Sequence, residues 1–159
     1  MQSPLSDPQA LSSAHEVDGF DCGEPELNDW LLRRALTNQL GGASRTFVVV
    51  DADDKVRGYY TLAAGALSHE LATGNVRRNM PDPIPMILLA RLAVDVRAQG
   101  IKLGGGMLQD AEERVRLIAE NAGVRALLVH AMHERAAQFY QHYGFRPSPI
   151  RPLTLMLRL

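Results

Sequence analysis

Arg97, Gln99, Gly100 and Gly104 stand where an apolar run, Met86 to Val94, gives way to a helical pattern. The run reads as a strand. A strand, a loop rich in backbone N–H groups and a helix N-terminus together make an anion site. Glycines at that point let a backbone approach a ligand closely. Gly105 and Gly106 would each cost roughly 1 kcal/mol in a helix interior relative to alanine. In the first turn they cost less and leave room for a diphosphate. The loop is not Gly-x-x-x-x-Gly-Lys-Ser/Thr, so it is no standard P-loop. It is not Gly-x-Gly-x-x-Gly either, so a dinucleotide site is unsupported.

The other chemistry-bearing residues exclude more than they suggest. Cys22 is the single cysteine. It excludes an internal disulfide, fits a reducing cytoplasm, and reads as a small packed residue because no activating partner is evident. His15, His69, His130, His133 and His142 are scattered, so no metal site is expected. His130 is expected to face the core. The net charge of −1 excludes a generic nucleic-acid binder. Basic spots at Arg33-Arg34, Arg45 and Arg77-Arg78 could still grip phosphate, or could be plain solvated arginines.

The elements that must position these residues follow from period and punctuation. With 46% hydrophobic and 22% charged residues, the 159-residue chain can bury a core as one domain, 1–159. No apolar run approaches the roughly 20 residues of a membrane span. Met1 to Ala10 is polar, reads as a loose leader and lacks the apolar core of a secretory signal. Glu24-Pro25 starts a helix that carries Leu27, Trp30, Leu31, Ala35 and Leu36 and ends at Gly41-Gly42. Arg45–Asp51 and Val56–Leu67 form a hairpin. Ser68–Pro85 is a long irregular connection before the strand Met86–Val94. Leu103, Met107, Leu108, Ala111, Val115, Ile118 and Ala122 mark one face of a helix that stops near Gly123. Arg125–Ala131 is a strand, Glu134–Tyr143 a helix closed by Gly144, and Leu153–Leu157 a last strand. The result is a mixed α/β sheet covered by helices.

At this point the chain resembles the GNAT superfamily of acetyl-CoA-dependent N-acetyltransferases. Arg97-x-x-Gly100-x-Lys102 lies where that family carries Arg/Gln-x-x-Gly-x-Gly/Ala, and Lys102 is the main departure. Phe139-Tyr140-x-x-x-Gly144-Phe145 is similar to its closing signature. Phe20-Asp21-Cys22-Gly23, Leu27-Asn28-Asp29-Trp30-Leu31, Gly58–Leu62, Arg91–Asp95 and Leu128–Ala131 resemble its bacterial toxin branch. The match runs from Phe20 nearly to the end.

The resemblance implies a GNAT-like, mostly antiparallel sheet flanked by helices. It implies acetyl-CoA as cosubstrate, with no metal. Leu92, Ala93 and Val94 would pair with the pantetheine arm. N–H groups from Gln99 through Gly100, Ile101, Lys102 and Leu103 to Gly104 would hold the pyrophosphate, with charge added by Arg97 and Lys102. His133, Ala136 and Phe139 would line the cofactor site; His133 stands where this branch usually has asparagine. Tyr140 would be the general acid for the departing thiolate, with a packed aromatic as the plain alternative.

The toxin branch acetylates the α-amine of aminoacyl-tRNA, pairs with a ribbon-helix-helix antitoxin, and is expected to be a cytoplasmic homodimer. Arg78 and Arg91, then Arg77, Arg33 and Arg34, would hold the acceptor stem. The plain alternative for Arg91 is a pair with Asp95 or Glu134. Two other functions share these motifs: an acetyltransferase for a small amine or protein N-terminus, and an impaired, antitoxin-bound regulatory protein.

Overall fold

The computed structural model describes residues 4–159. Its elements are β1 (Gln9–Ala10), α1 (Pro25–Arg33), α2 (Ala35–Gly41), β2 (Arg45–Val50) and β3 (Val56–Leu67). Then follow α3 (Gly74–Arg77), β4 (Ile84–Val94), α4 (Leu103–Ala119), β5 (Ala126–His130), α5 (Glu134–His142), β6 (Arg146–Pro147) and β7 (Thr154–Arg158). Among the described residues the strands form a seven-stranded sheet in the order β1-β2-β3-β4-β5-β7-β6. β1-β2, β2-β3, β5-β7 and β6-β7 are antiparallel, while β4-β5 is parallel. The mixed, mostly antiparallel sheet flanked by helices is therefore as expected.

The chain divides into two compact units. The first runs up to Leu62 and includes Arg91–Ala111. Its core joins Leu11, Phe20, Leu31, Ala35, Val48, Val50, Val56, Tyr59 and Ala93. The hairpin turns at Asp51, whose carboxylate accepts from the N–H groups of Asp53 (2.8 Å) and Lys55 (3.1 Å). That is the local side-chain-to-backbone bonding that makes aspartate a turn residue. A Cβ on Gly58 would sit 3.0 Å from Met107 Cε and Sδ, so glycine lets β3 and α4 pack closely.

The second unit comprises Ala63–Ala90 and Glu112–Leu159. Leu67, Ala72, Val76, Ile84, Met86, Ala126, Leu128 and Met156 form its core. Arg125 ties the α3 region to β5, donating to the carbonyls of Asn75, Val76 and Arg78 at 3.1 Å each.

Several expectations are corrected. The polar leader is tied down at its end: Gln9 and Ala10 pair with Val48 and Phe47, and the Ser6 hydroxyl accepts from the Val50 N–H. Its first three residues lie outside the described ones. The first helix breaks at Arg34 (φ −125°, ψ −30°), giving α1 and α2. The Ser68–Pro85 connection contains a short helical turn at His69–Leu71 and the single-turn α3. α4 ends at Ala119, so its buried face stops at Val115; Ile118 is 37% exposed and Ala122 lies beyond the helix. His130 is exposed at the end of β5, with Nδ1 3.1 Å from Thr154 Oγ1. Strand alternation fails there because the core face ends with the strand.

Candidate active site

The loop after β4 is built around one carboxylate. Asp95 is fully buried. It accepts from the Arg97 N–H (2.9 Å), Arg97 Nε (2.9 Å) and Arg97 Nη2 (3.1 Å). It also accepts from the Asp21 N–H at 3.1 Å and has Arg57 Nη1 at 3.7 Å. Burial alone would raise its pKa. The Arg97 and Asp21 donors outweigh that and hold the carboxyl below its usual range.

The segment 19–23 is the other side of this anchor. Arg97 Nη2 donates to the Gly19 carbonyl at 2.7 Å, and the Val96 N–H to the Asp21 carbonyl at 2.7 Å. The Asp21 carboxylate accepts from the Gly23 N–H (2.9 Å) and Asn28 Nδ2 (3.1 Å), and Asn28 Oδ1 accepts from the Cys22 N–H (2.9 Å). Phe20–Gly23 and Asn28 are thus a buttress for the loop. Cys22 is half-buried against the core, and burial raises its thiol pKa, as befits a packing residue.

Above this anchor the backbone is open. Among the described residues, the N–H groups from Gln99 to Gly105 donate to no protein acceptor. Gly100 has φ +83° and Lys102 φ +63°, which turn the chain into α4. Unpaired N–H groups running into a helix N-terminus are a fitting cradle for a diphosphate. The Gln99 side chain is used internally: Nε2 donates to the carbonyls of Val94 (2.9 Å) and Cys22 (3.4 Å). Val94 therefore offers a pantetheine arm less than expected. Ala93 is buried, Leu92 is half-buried, and Ile101 and Lys102 are exposed.

Among the described residues Arg91 pairs with no carboxylate. Its guanidinium carbon lies 4.0 Å from the centroid of the Trp30 ring, a cation–π contact. Trp30 stacks on Tyr59 at 6.1 Å, and Tyr59 is fixed by donating to the Leu27 carbonyl at 2.7 Å. Arg33 makes an exposed ion pair with Asp29 at 3.8 Å, and Arg34 is exposed at the α1–α2 break. In the second unit, Arg77 and Arg78 are exposed at the end of α3.

The second unit carries the candidate acid. His133 caps α5, its Nδ1 accepting from the Ala136 N–H at 3.1 Å. This is an N-cap, the place where asparagine is also favoured. It occupies the Ala136 N–H, which is then not available to a ligand. Tyr140 is buried between Phe139 (5.2 Å between centroids) and Phe145 (5.5 Å). Among the described residues its hydroxyl makes no hydrogen bond to protein. Burial pushes its pKa up, so the phenol keeps its proton throughout the neutral range.

Asp95 as anchor and Trp30 as platform were missed from sequence. An aspartate two residues before an arginine, at a strand end, was the available signal for Asp95.

Residues 43–147 match the family model described as the GNAT acetyltransferase domain, which is more than half of the chain. Over 155 residues the chain is 50% identical to a tRNA-acetylating toxin of Mycobacterium tuberculosis (strain ATCC 25618 / H37Rv), covering 98% of this chain and 93% of the relative. It is 26% identical to a structure of AtaT complexed with acetyl-methionyl-tRNAfMet, with a TM-score of 0.89 and coverage of 98% and 95%. A structure of AtaTR bound with AcCoA gives 27% identity, a TM-score of 0.83, and coverage of 97% and 93%. These matches leave one assignment: the chain belongs to the GNAT acetyltransferase family.

Proposed function

We propose that this chain is a single acetyltransferase domain and a toxin, moving the acetyl group of acetyl-CoA onto the α-amine of the amino acid on charged tRNA. Translation then stops, because an acetylated amine cannot attack the ester that carries the growing peptide. The observation that carries the reaction class is the run of unpaired N–H groups from Gln99 to Gly105. The substrate class rests on the 50% identity to a tRNA-acetylating toxin.

Acetyl-CoA supplies the acyl group as a thioester. The cradle from Gln99 to Gly104 would bind the pyrophosphate, and Leu92 and Ala93 would offer β4 backbone to the pantetheine amides. The amine nitrogen forms a bond to the carbonyl carbon as the C–S bond breaks. Tyr140 would give its phenolic proton to the departing sulfur, and the proton lost by the acylated nitrogen would return the phenolate to phenol by way of solvent. No strong base is required. An α-amine titrates at roughly 7.7–8.0, whereas a protein lysine at about 10.4 would need more help. Arg91, Arg78, Arg77, Arg33 and Arg34 would hold the acceptor stem through phosphate, which positions without reading sequence.

The proposed partner is a ribbon-helix-helix antitoxin, and the proposed state is a homodimer; both rest on the resemblance to the toxin branch. Among the described residues no helix is long and apolar enough to cross a membrane. The proposed compartment is the cytoplasm, where charged tRNA is. The test is label transfer from acetyl-CoA to charged tRNA, deacylated tRNA and a peptide with a free N-terminus. Label on charged tRNA alone supports the proposal. Label on the peptide at equal rate contradicts it.

A further inference from the structure

The cradle carries two basic side chains, and the structure separates their roles. Arg97 is exposed but engaged. Its Nε and Nη2 go to the Asp95 carboxylate, and Nη2 also reaches the Gly19 carbonyl. A bidentate pair with a buried carboxylate fixes the guanidinium in direction and offsets its charge. Arg57, the second cation on Asp95, is in turn held by Asp51 at 3.1 Å. The network of two arginines and two aspartates is close to neutral and has little to offer an anion.

Lys102 is the opposite case. It is exposed, and among the described residues its side chain makes no ion pair or hydrogen bond, while its carbonyl accepts from the Gly106 N–H at 3.1 Å. Its φ of +63° is a left-handed conformation, which a lysine adopts only at a cost and a glycine freely. It stands inside the run of unpaired N–H groups, between Gly100 and the first turn of α4. A residue in a left-handed conformation, its side-chain charge without a protein partner among the described residues, thus stands within the run, while the arginine five residues earlier is paired with Asp95.

We propose that Lys102, not Arg97, supplies the positive charge that meets the diphosphate of the acyl donor, Arg97 being a positioning residue for the loop. This rests on the acetyltransferase reading above. The lysine is then a donor-recognition residue standing where glycine would be the easier choice for the backbone.

The experiment compares two acyl donors, acetyl-CoA and S-acetylpantetheine, which lacks the diphosphate. Lys102→Gln keeps the backbone strain and removes the charge. It should raise KM for acetyl-CoA about three- to five-fold, the size expected of an exposed ion pair. It should also flatten the salt dependence of that KM. KM for S-acetylpantetheine and kcat with either donor should stay the same. Lys102→Gly should give the same rise in KM together with a higher melting temperature, because the strain is relieved. An unchanged KM for acetyl-CoA in Lys102→Gln overturns the proposal. So does a lower KM in Lys102→Gly, which would mean that the side chain crowds the site, or an equal rise with both donors. If the wild type uses neither donor, the acetyltransferase reading fails and this inference falls with it.

Discussion

The Phe145 N–H donates to the Tyr140 carbonyl at 3.1 Å, and the two rings meet with centroids 5.5 Å apart. Between them the Gly144 N–H donates to the Gln141 carbonyl at 3.0 Å, and Gly144 has φ +94°. This is a helix closed by a left-handed glycine, with the hydrophobic contact that accompanies it. The Tyr-x-x-x-Gly-Phe spacing is therefore one device. The same closure that ends α5 clamps the proposed acid from below.

That closure is testable through stability. A Cβ on Gly144 would lie 3.6 Å from Leu157 Cδ1, an ordinary contact, so Gly144→Ala meets no steric obstacle. Its cost is conformational, about 1–2 kcal/mol for a left-handed alanine. Urea denaturation should show a lower midpoint with an unchanged slope. An unchanged midpoint would mean that the cap is not strained in this way.

Asp95 predicts a pH dependence. Its carboxyl sits below the ordinary value of 3.8. A group lowered on folding contributes stability that is complete above its unfolded value and is lost as the pH falls through the folded one. Asp95→Asn should cost about 1.5–3 kcal/mol at neutral pH, the size for hydrogen bonds to a charged group, because Arg97 is exposed and can turn to water. It should also flatten the loss of stability below pH ~4. Melting temperatures of both proteins between neutral and acid pH decide it; parallel curves would count against the role. Asp51, lowered by its turn N–H groups and Arg57 against the upward push of burial, contributes in the same direction and remains in both proteins.

Arg91 and Trp30 separate charge from positioning. Arg91→Ala should weaken binding to charged tRNA and reduce the slope of log affinity against log salt by about 0.7–0.9, one phosphate contact. Trp30→Leu keeps the charge and removes the platform 4.0 Å below it. It should weaken binding with the slope nearly unchanged. Filter binding at several salt concentrations gives both numbers. Equal slopes in wild type and Arg91→Ala would exclude a phosphate contact.

Local patterns were the legible part of this fold. Apolar periodicity marked α4 from Leu103, and the glycine-rich turn marked the open backbone between β4 and α4, because both signals lie within a few residues. The α1–α2 break at Arg34 left no trace, since Ala35 and Leu36 continue the helical spacing. β1 was missed because Gln9 and Ala10 are polar or small and gain their structure from Val48 and Phe47, far along the chain. Arg97 has a partner that its spacing does not announce. An arginine beside a glycine-rich turn looks available, but the carboxylate two residues earlier, which also has Asp21 and Arg57 as partners, pairs with it, and the Gly19 carbonyl accepts from its Nη2. Trp30 beneath Arg91 is likewise a contact between distant segments that no spacing rule announces.

The central claim turns on the proton carried by Tyr140. The most direct measurement is acetyl transfer from labelled acetyl-CoA to charged tRNA by wild type and Tyr140→Phe, with acetyl-CoA affinity measured on both. Tyr140→Phe removes only the hydroxyl, which makes no hydrogen bond to protein among the described residues. The account predicts label on the aminoacyl group with wild type, a loss of about 10²–10⁴-fold in turnover with Tyr140→Phe, and unchanged acetyl-CoA affinity. Full turnover by Tyr140→Phe would contradict the acid role.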